Sequence, residues 1–272
     1  MMKEVFNRPK LVMSSRQDSD KDSDVEFAIN NRFDGVDWSF ALNRMPFNTA
    51  SRTRLISQIR KLEGHLVEVR FHAPFRHAEI GCRDLRISQW AMELYIKTLE
   101  LIAEVGGRFL TLHIGLGDIS DKDICLQKVL ENLNVLKAFG LNRGVTITLE
   151  NLLYGPTSIP EQWMEILGEV DIPATFDLGH ARGCEAVVKG LWTPIEIIYQ
   201  VKSRLIHVHI YKEENGGGHV PPETIEDLGV ELLDALIESP CRWWVIELKE
   251  KSAALRTKEM LKTYMESIFS KV

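Results

Sequence analysis

Thr175-Phe176-Asp177-Leu178-Gly179-His180 places a carboxylate and an imidazole three residues apart at the end of a predicted strand. The alternating pattern of this segment ends at Asp177, and Leu178-Gly179 is expected to turn the chain so that His180 points back to the same place. Five other β-rich segments also end on a histidine or a glutamate: Phe71-His72, Leu112-His113, Leu149-Glu150, Val208-His209 and Ile246-Glu247. Six predicted strand ends in one chain carry side chains of the types that bind metal ions, which indicates that these side chains meet at one site.

The composition predicts a globular chain of one large barrel or two medium domains, with 272 residues, 44% hydrophobic and 26% charged. No apolar run reaches the roughly 18 residues of a membrane helix. The start, Met1-Met2-Lys3-Glu4, lacks the apolar core of a signal peptide. We therefore expect a cytoplasmic protein without a membrane partner.

The net charge of −6 argues against nucleic acid as a partner. The four widely spaced cysteines argue against a disulfide framework and a thiolate zinc site.

Strand and helix patterns alternate along the whole chain, which is typical of parallel strands with crossover helices. The predicted strands are Pro9–Ser15, Phe33–Phe40, Leu66–His72, Arg108–Gly115, Val145–Asn151, Ala174–Asp177, Leu205–Tyr211 and Trp243–Lys249. The predicted helices are Ser23–Asn31, Thr49–Glu63, Leu85–Val105, Lys122–Phe139, Pro160–Gly168, Pro194–Ser203, Ile225–Glu238 and Ser252–Phe269. Eight such units match a single (βα)8 TIM barrel better than a doubly wound sheet. Because no linker divides the chain, we predict one α/β domain over residues 1–272.

Periodicity within the strands supports a closed barrel. In the segment 205–211, the isoleucines and Val208 share one face, whereas His207 and His209 share the other. Side chains alternate across a strand, so one face of each strand is apolar and the other becomes polar toward the carboxyl end. In a barrel the apolar face meets the helices, and the active site lies at the carboxyl ends of the strands.

Carboxylates together with neutral imidazoles favour zinc, manganese or a similar divalent ion. Several unpaired carboxylates in one pocket would repel each other, and a bound cation relieves that repulsion. We therefore expect a divalent metal cofactor, Mn²⁺ or Zn²⁺, with Mg²⁺ or Co²⁺ as alternatives. For any one strand-end residue taken alone, a structural role is an equally good interpretation. Glu68 with Arg70, for example, is expected to be an ion pair.

The order of the motifs resembles the xylose isomerase-like TIM barrel superfamily. This group includes sugar isomerases and epimerases, and the endonuclease IV type of repair nuclease (AP endonuclease family 2). The resemblance covers nearly the whole chain. It rests on H-A-P-F at His72, L-H at His113, L-E-N at Glu150, F-D-x-x-H at Asp177 and His180, H-V-H at His209, G-H at His219 and I-E at Glu247.

The resemblance to the epimerases implies a divalent-metal-dependent isomerase or epimerase of a small, sugar-like hydroxy-carbonyl substrate. It implies proton transfer by Glu150 and Glu247 through a metal-stabilised enediolate, with His180 on the substrate oxygens. Chelation of a carbonyl and a neighbouring hydroxyl acidifies the carbon between them. In place of an arginine six residues after the metal histidine, this chain has Asn215. The ligand set that the resemblance implies for the ion is Glu150, Asp177, His209 and Glu247.

The resemblance to the repair nucleases implies an alternative, an abasic-site phosphodiesterase with three zinc ions. Its further ligands would be His72, His113, His180 and His219, but the ninth position, an aspartate in that group, is Gly217 here. We therefore expect one tight ion, a second, weaker one at His72 and His113 that shares Glu150, and no third ion at His180 and His219. A third alternative is a barrel that binds a ligand without catalysis. A homo-oligomer is left open.

Two further residues receive predictions. Asp37, on the inner face of the second strand, is expected to orient a ligand histidine such as His72, because metal-bound imidazoles usually donate their other N–H to such a group. A salt bridge from Asp37 to Arg70 is the equal alternative. The segment Asn215–His219 is expected to be a flexible loop over the site.

Overall fold

Eight parallel strands close into a barrel in this computed structural model, which describes residues 8–74, 77–115, 120–216 and 218–270. The strands within these ranges are β1 (Lys10–Ser15), β2 (Gly35–Ser39), β3 (Glu68–His72), β4 (Phe109–Leu112), β5 (Thr146–Glu150), β6 (Ala174–Asp177), β7 (Leu205–Ile210), β8 (Glu213–Asn215), β9 (Gly218–Val220) and β10 (Trp243–Ile246). The barrel order is β1-β10-β7-β6-β5-β4-β3-β2, and the pairing of β10 with β1 closes it. The predicted (βα)8 barrel is confirmed. The single domain over residues 1–272 stays a prediction.

Helices connect consecutive barrel strands and cover the outside. They are α1 (Lys21–Asn30), α2 (Thr49–Gly64), α3 (Leu85–Glu104), α4 (Leu126–Leu141), α5 (Pro160–Val170), α6 (Leu178–Gly183), α7 (Glu185–Val188), α8 (Pro194–Val201), α9 (Val230–Ile237) and α10 (Lys251–Phe269). Their apolar faces and the outer faces of the strands form one continuous core. Within the described ranges, no helix combines the length and apolar character needed to cross a membrane.

Three local elements differ from the predictions. The chain after Asp177 enters the short helix α6 at once, because the Asp177 side chain caps it by accepting a hydrogen bond from the backbone N–H of His180. The predicted helix 225–238 is divided at Gly229, whose φ of 81° ends a short turn before α9 begins. The predicted flexible loop 215–219 belongs to an antiparallel hairpin of β8 and β9 instead. Gly217 lies outside the described residues.

The floor of the barrel is filled by Trp243, which is fully buried on the inner face of β10. The guanidinium of Arg70 lies 4.3 Å from the centre of a Trp243 ring, and its Nε lies 3.3 Å from Glu68 Oε1, so the predicted Glu68–Arg70 pair is present. Gly35 on β2 leaves the room that the indole occupies, since a Cβ there would come within 2.3 Å of Trp243. The barrel is therefore closed at this end and open only at the carboxyl ends of the strands.

Above this floor, three buried threonines on neighbouring strands form a hydrogen-bonded layer. Thr148 Oγ1 lies 2.6 Å from Thr175 Oγ1 and 3.1 Å from Thr111 Oγ1. The hydroxyls satisfy one another in the barrel interior, where an unpaired polar group would be costly. This layer separates the floor, with Trp243 and Arg70, from the predicted metal ligands at the strand ends.

We predict that Gly35→Ala destabilises the protein by about 1–3 kcal/mol, because the added methyl overpacks the floor against Trp243. The measurement is the midpoint of chemical or thermal unfolding. Gly64→Ala is the matched control: nothing lies within 4 Å of a Cβ at this last residue of α2. Equal unfolding midpoints for Gly35→Ala and the control would contradict the packing described here.

Candidate metal centre

The ends of six barrel strands bring the predicted site residues to one place. His72, Glu150 and Asp177 are the last residues of β3, β5 and β6, and His209 is the fifth of six residues in β7. His113 and Glu247 directly follow β4 and β10. All six side chains are buried except that of Glu247, which is 17% exposed. Parallel strands in a closed barrel make this convergence unavoidable.

The predicted metal ligands surround the Nδ1 atom of His209. This atom lies 3.4 Å from Glu150 Oε1, 3.5 Å from Asp177 Oδ2 and 3.1 Å from Glu247 Oε2. In a tetrahedral site with ligands about 2.1 Å from the ion, the ligand atoms lie roughly 3.4 Å apart. His209 Nδ1 and Asp177 Oδ2 have no hydrogen-bond partner although both are buried. Spacing, donor types and unpaired atoms all fit a divalent cation.

The electrostatics of this group also favour a cation. Burial opposes the ionisation of Glu150, but the imidazoles of His209 and His113 hold its pKa well below the usual range. Burial also opposes protonation of His209, yet the carboxylates of Glu150 and Glu247 raise its pKa well above the usual value. The carboxylates of Glu150 and Glu247 therefore keep their charge despite burial and attract a positive charge to this group.

A second group lies on the other side of Glu150. Glu150 Oε2 is 2.9 Å from His113 Nε2 and 3.3 Å from His72 Nε2, and the two Nε2 atoms are 3.0 Å apart. His72 Nδ1 lies 3.0 Å from the carbonyl oxygen of Ala73, to which it can donate. This leaves the Nε2 lone pair of His72 facing Glu150. The structure thus brings together the residues predicted for a second ion that shares Glu150.

A third group contains the two remaining predicted histidines and a carboxylate that was not predicted. His180 Nε2 lies 3.0 Å from Glu214 Oε2, and Glu214 pairs with His219 across the β8–β9 hairpin. One ligand atom from each of the three lies within 4.8 Å of the other two. The expectation that His180 and His219 lack a carboxylate, based on Gly217, is therefore wrong. Another residue of the same hairpin supplies it.

The family described as "xylose isomerase-like TIM barrel" matches residues 25–266. The chain belongs to this family. Its sequence is also similar to two uncharacterized proteins of Methanocaldococcus jannaschii. One is 31% identical over 167 residues, which is 61% of this chain and 71% of the relative. The other is 24% identical over 273 residues, which is 92% of this chain and 86% of the relative.

Solved structures with the same fold include several sugar epimerases. A D-tagatose 3-epimerase-like protein superposes with a TM-score of 0.74 at 22% identity, covering 96% of this chain and 99% of its own. D-allulose 3-epimerase from Methylomonas sp. gives 0.71 at 15% identity, covering 94% and 98%. The 3-keto-D-glucoside 4-epimerase of E. coli gives 0.69 at 15% identity, covering 94% and 99%. At these identities the likeness establishes the fold.

Asp37 of this xylose isomerase-like barrel has a different neighbour from the expected one. Its Oδ1 atom lies 3.3 Å from His207 Nε2, whereas the prediction named His72, and Arg70 pairs with Glu68. Burial lowers the pKa of His207 to about 4, so this imidazole is neutral at physiological pH. Ligand-type atoms of Asp37, His207 and His209 lie within 4.8 Å of one another. Asp37 therefore contacts a histidine of β7, the strand that also carries the predicted ligand His209.

Three residues that the sequence analysis did not assign hold Asp177 and its neighbours. Tyr211 donates a hydrogen bond of 2.7 Å to Asp177 Oδ1, which leaves Oδ2 to face His209. The Asn151 side chain accepts from the backbone N–H of Asp177 and donates to its carbonyl oxygen. Tyr211 could have been found, because it continues the inner-face alternation of His207 and His209. Glu214 could have been found from the three glycines that follow Asn215, because glycine-rich connections favour a hairpin.

We expect Tyr211→Phe to weaken divalent-ion binding by roughly 10-fold, because it removes the hydroxyl that fixes Asp177. The dissociation constant for Mn²⁺ or Zn²⁺ is the quantity to measure. Tyr154→Phe, at a side chain that is 67% exposed, is the matched control. If Tyr211→Phe and the control bind the ion equally well, the hydroxyl does not position a ligand.

Proposed function

We propose that this barrel is a divalent-metal-dependent isomerase or epimerase of a small, sugar-like hydroxy-carbonyl compound. The observation that carries the proposal is that carboxylate oxygens of Glu150, Asp177 and Glu247 lie 3.4, 3.5 and 3.1 Å from His209 Nδ1. The Mn²⁺ or Zn²⁺ ion bound there would polarise the substrate carbonyl and stabilise the negative charge that develops when the neighbouring carbon loses its proton.

Glu150 and Glu247 are the proposed acid and base. They come from β5 and β10, which β6 and β7 separate in the barrel wall, so the two carboxylates approach the substrate from different directions. One carboxylate removes the proton from the carbon next to the carbonyl, and the C–H electron pair becomes part of an enediolate. The other returns a proton to the opposite face, which gives an epimer. Return to the adjacent carbon gives an isomer.

His180 is the proposed contact to the substrate oxygens. The ring is buried at the start of α6, directly after Asp177, and the backbone of Asn151 fixes its orientation. Because α6 begins within hydrogen-bonding distance of the ligand group, an oxygen held by His180 stays next to the reacting carbon. The likeness in fold to D-tagatose, D-allulose and 3-keto-D-glucoside epimerases supports a sugar-like substrate.

The test is solvent-deuterium exchange. The protein is incubated with Mn²⁺ and a panel of ketoses and keto acids in deuterated water, and each substrate is examined by mass spectrometry and NMR. We predict deuterium at a carbon next to the carbonyl of at least one panel member. Glu150→Gln and Glu247→Gln should each slow the exchange by about 100-fold or more, because each removes a proton-transfer group.

Glu169→Gln, an exposed position on α5, is the control for these variants. Metal content is measured for every variant, since Glu150 and Glu247 are also proposed ligands. A substrate that exchanges at the same rate in Glu150→Gln and wild type would contradict the assigned chemistry. Tight binding of a panel member without any exchange would favour a barrel that binds a ligand without catalysis.

An abasic-site phosphodiesterase is the second candidate. The observation that favours it is the arrangement of three groups of possible metal ligands at and beside Glu150. The resemblance to the repair nucleases implies three zinc ions. The net charge of −6 argues against a nucleic-acid partner. Incision of an abasic-site oligonucleotide in zinc, without deuterium exchange into any sugar, would place this function first. A cytoplasmic location and a possible homo-oligomer stay predictions from the sequence.

A further inference from the structure

We propose that His180, Glu214 and His219 form a separate divalent-cation site suited to zinc, in which Glu214 is the carboxylate ligand. The site lies between α6 and the β8–β9 hairpin, beside the Glu150, Asp177, His209 and Glu247 group. The inference concerns ion binding and does not depend on the reaction proposed above; with an ion on Nε2, His180 would act on the substrate oxygens through that ion instead of directly.

The orientation of His180 leaves one nitrogen available as a ligand. Its Nδ1 lies 3.1 Å from the carbonyl oxygen of Asn151 and 3.4 Å from Glu150 Oε1, and both neighbours are acceptors. Nδ1 is therefore the donor to these neighbours, and Nε2 is the nitrogen left to act as a ligand. Nε2 faces Glu214 Oε2 at 3.0 Å. Two electron-rich atoms at this distance need a cation or a proton between them.

His219 has the same arrangement. Its Nδ1 lies 2.7 Å from the carbonyl oxygen of Glu247, so Nδ1 is the donor and Nε2 is the nitrogen left to bind an ion. The ring stacks on Tyr211, with centroids 3.9 Å apart and an interplanar angle of 6°. Histidines that bind metals usually donate their other N–H to a carbonyl or carboxylate in this way. The ring orientation is thus fixed without an ion.

Glu214 reaches the two histidines because of the hairpin register. Glu214 and His219 are directly paired residues of β8 and β9, so their side chains lie on the same face of the hairpin. The neighbouring Glu213 pairs with Val220, and its side chain lies on the opposite face. The Glu214 side chain is 30% exposed, which leaves a path for an ion from solvent.

Two imidazoles and one carboxylate are a ligand set that zinc uses in catalytic sites, with a fourth position left for water or substrate. The negative charge of Glu214 also offsets the repulsion between this ion and a cation held by Glu150, Asp177 and Glu247. The absence of such a charge was the reason to expect no ion here. A pair of His180 and Glu214 joined by a proton is the competing arrangement.

The experiment is zinc titration calorimetry on the full chain, combined with elemental analysis after dialysis. Wild-type protein is compared with Glu214→Gln, with His219→Gln and with the double variant. We expect each single variant to lose one equivalent of zinc, or to bind that equivalent at least about 10-fold more weakly. The double variant should lose the same single equivalent and no more, because both residues bind the same ion.

Glu213→Gln is the matched control, since it removes the same charge from the other face of the hairpin, and it should keep all zinc equivalents of the wild type. Circular dichroism establishes that each variant is folded, and His219→Gln keeps the proposal testable if Glu214→Gln does not fold. Zinc binding by both single variants that matches the wild type in number and affinity would overturn the proposal. It would leave Glu214 as the partner of a protonated His180.

Discussion

The two carboxylate oxygens of Glu150 face two different groups of candidate metal ligands. The arrangement of the side chains at the strand ends depends on this buried carboxylate. Oε1 faces the Nδ1 atoms of His209 and His180, whereas Oε2 faces the Nε2 atoms of His113 and His72. The side chain is only 1% exposed. A carboxylate buried to this degree is stable in its charged form only if positive or donor groups surround it. The imidazoles around Glu150 meet that requirement in part, and a shared divalent cation would complete it.

The rest of the barrel supports this buried charge at a fixed position. Trp243 and Arg70 close the floor, and the layer of Thr111, Thr148 and Thr175 provides hydroxyls that pair with one another below the carboxylates. On the open side, α6 and the β8–β9 hairpin follow directly after strands that carry ligands. Their residues therefore reach the same centre without long loops. Rigid strands hold the inner ligands, and short local elements add the outer ones.

The sequence predicted the barrel and the members of the first two ligand groups, because both follow from local alternation and from which residue ends each strand. It did not predict α6, since six residues are too few for helical periodicity and the helix depends on the Asp177 cap. It missed Glu214, which reaches His180 only through the hairpin register. The neighbour of Asp37, in contrast, could not be predicted from the sequence. His207 lies on β7, and β2 and β7 are not adjacent strands, so only the barrel closure brings the two residues together.

X-ray diffraction at the manganese or zinc absorption edge, on crystals grown with that ion, tests the central claim most directly. The account predicts an anomalous peak about 2.1 Å from Glu150 Oε1, Asp177 Oδ2, His209 Nδ1 and Glu247 Oε2. The peak should be the strongest in the protein at low ion concentration. A fully occupied ion elsewhere, with no peak among these four atoms, would contradict the claim that Glu150 and its neighbours form a metal centre.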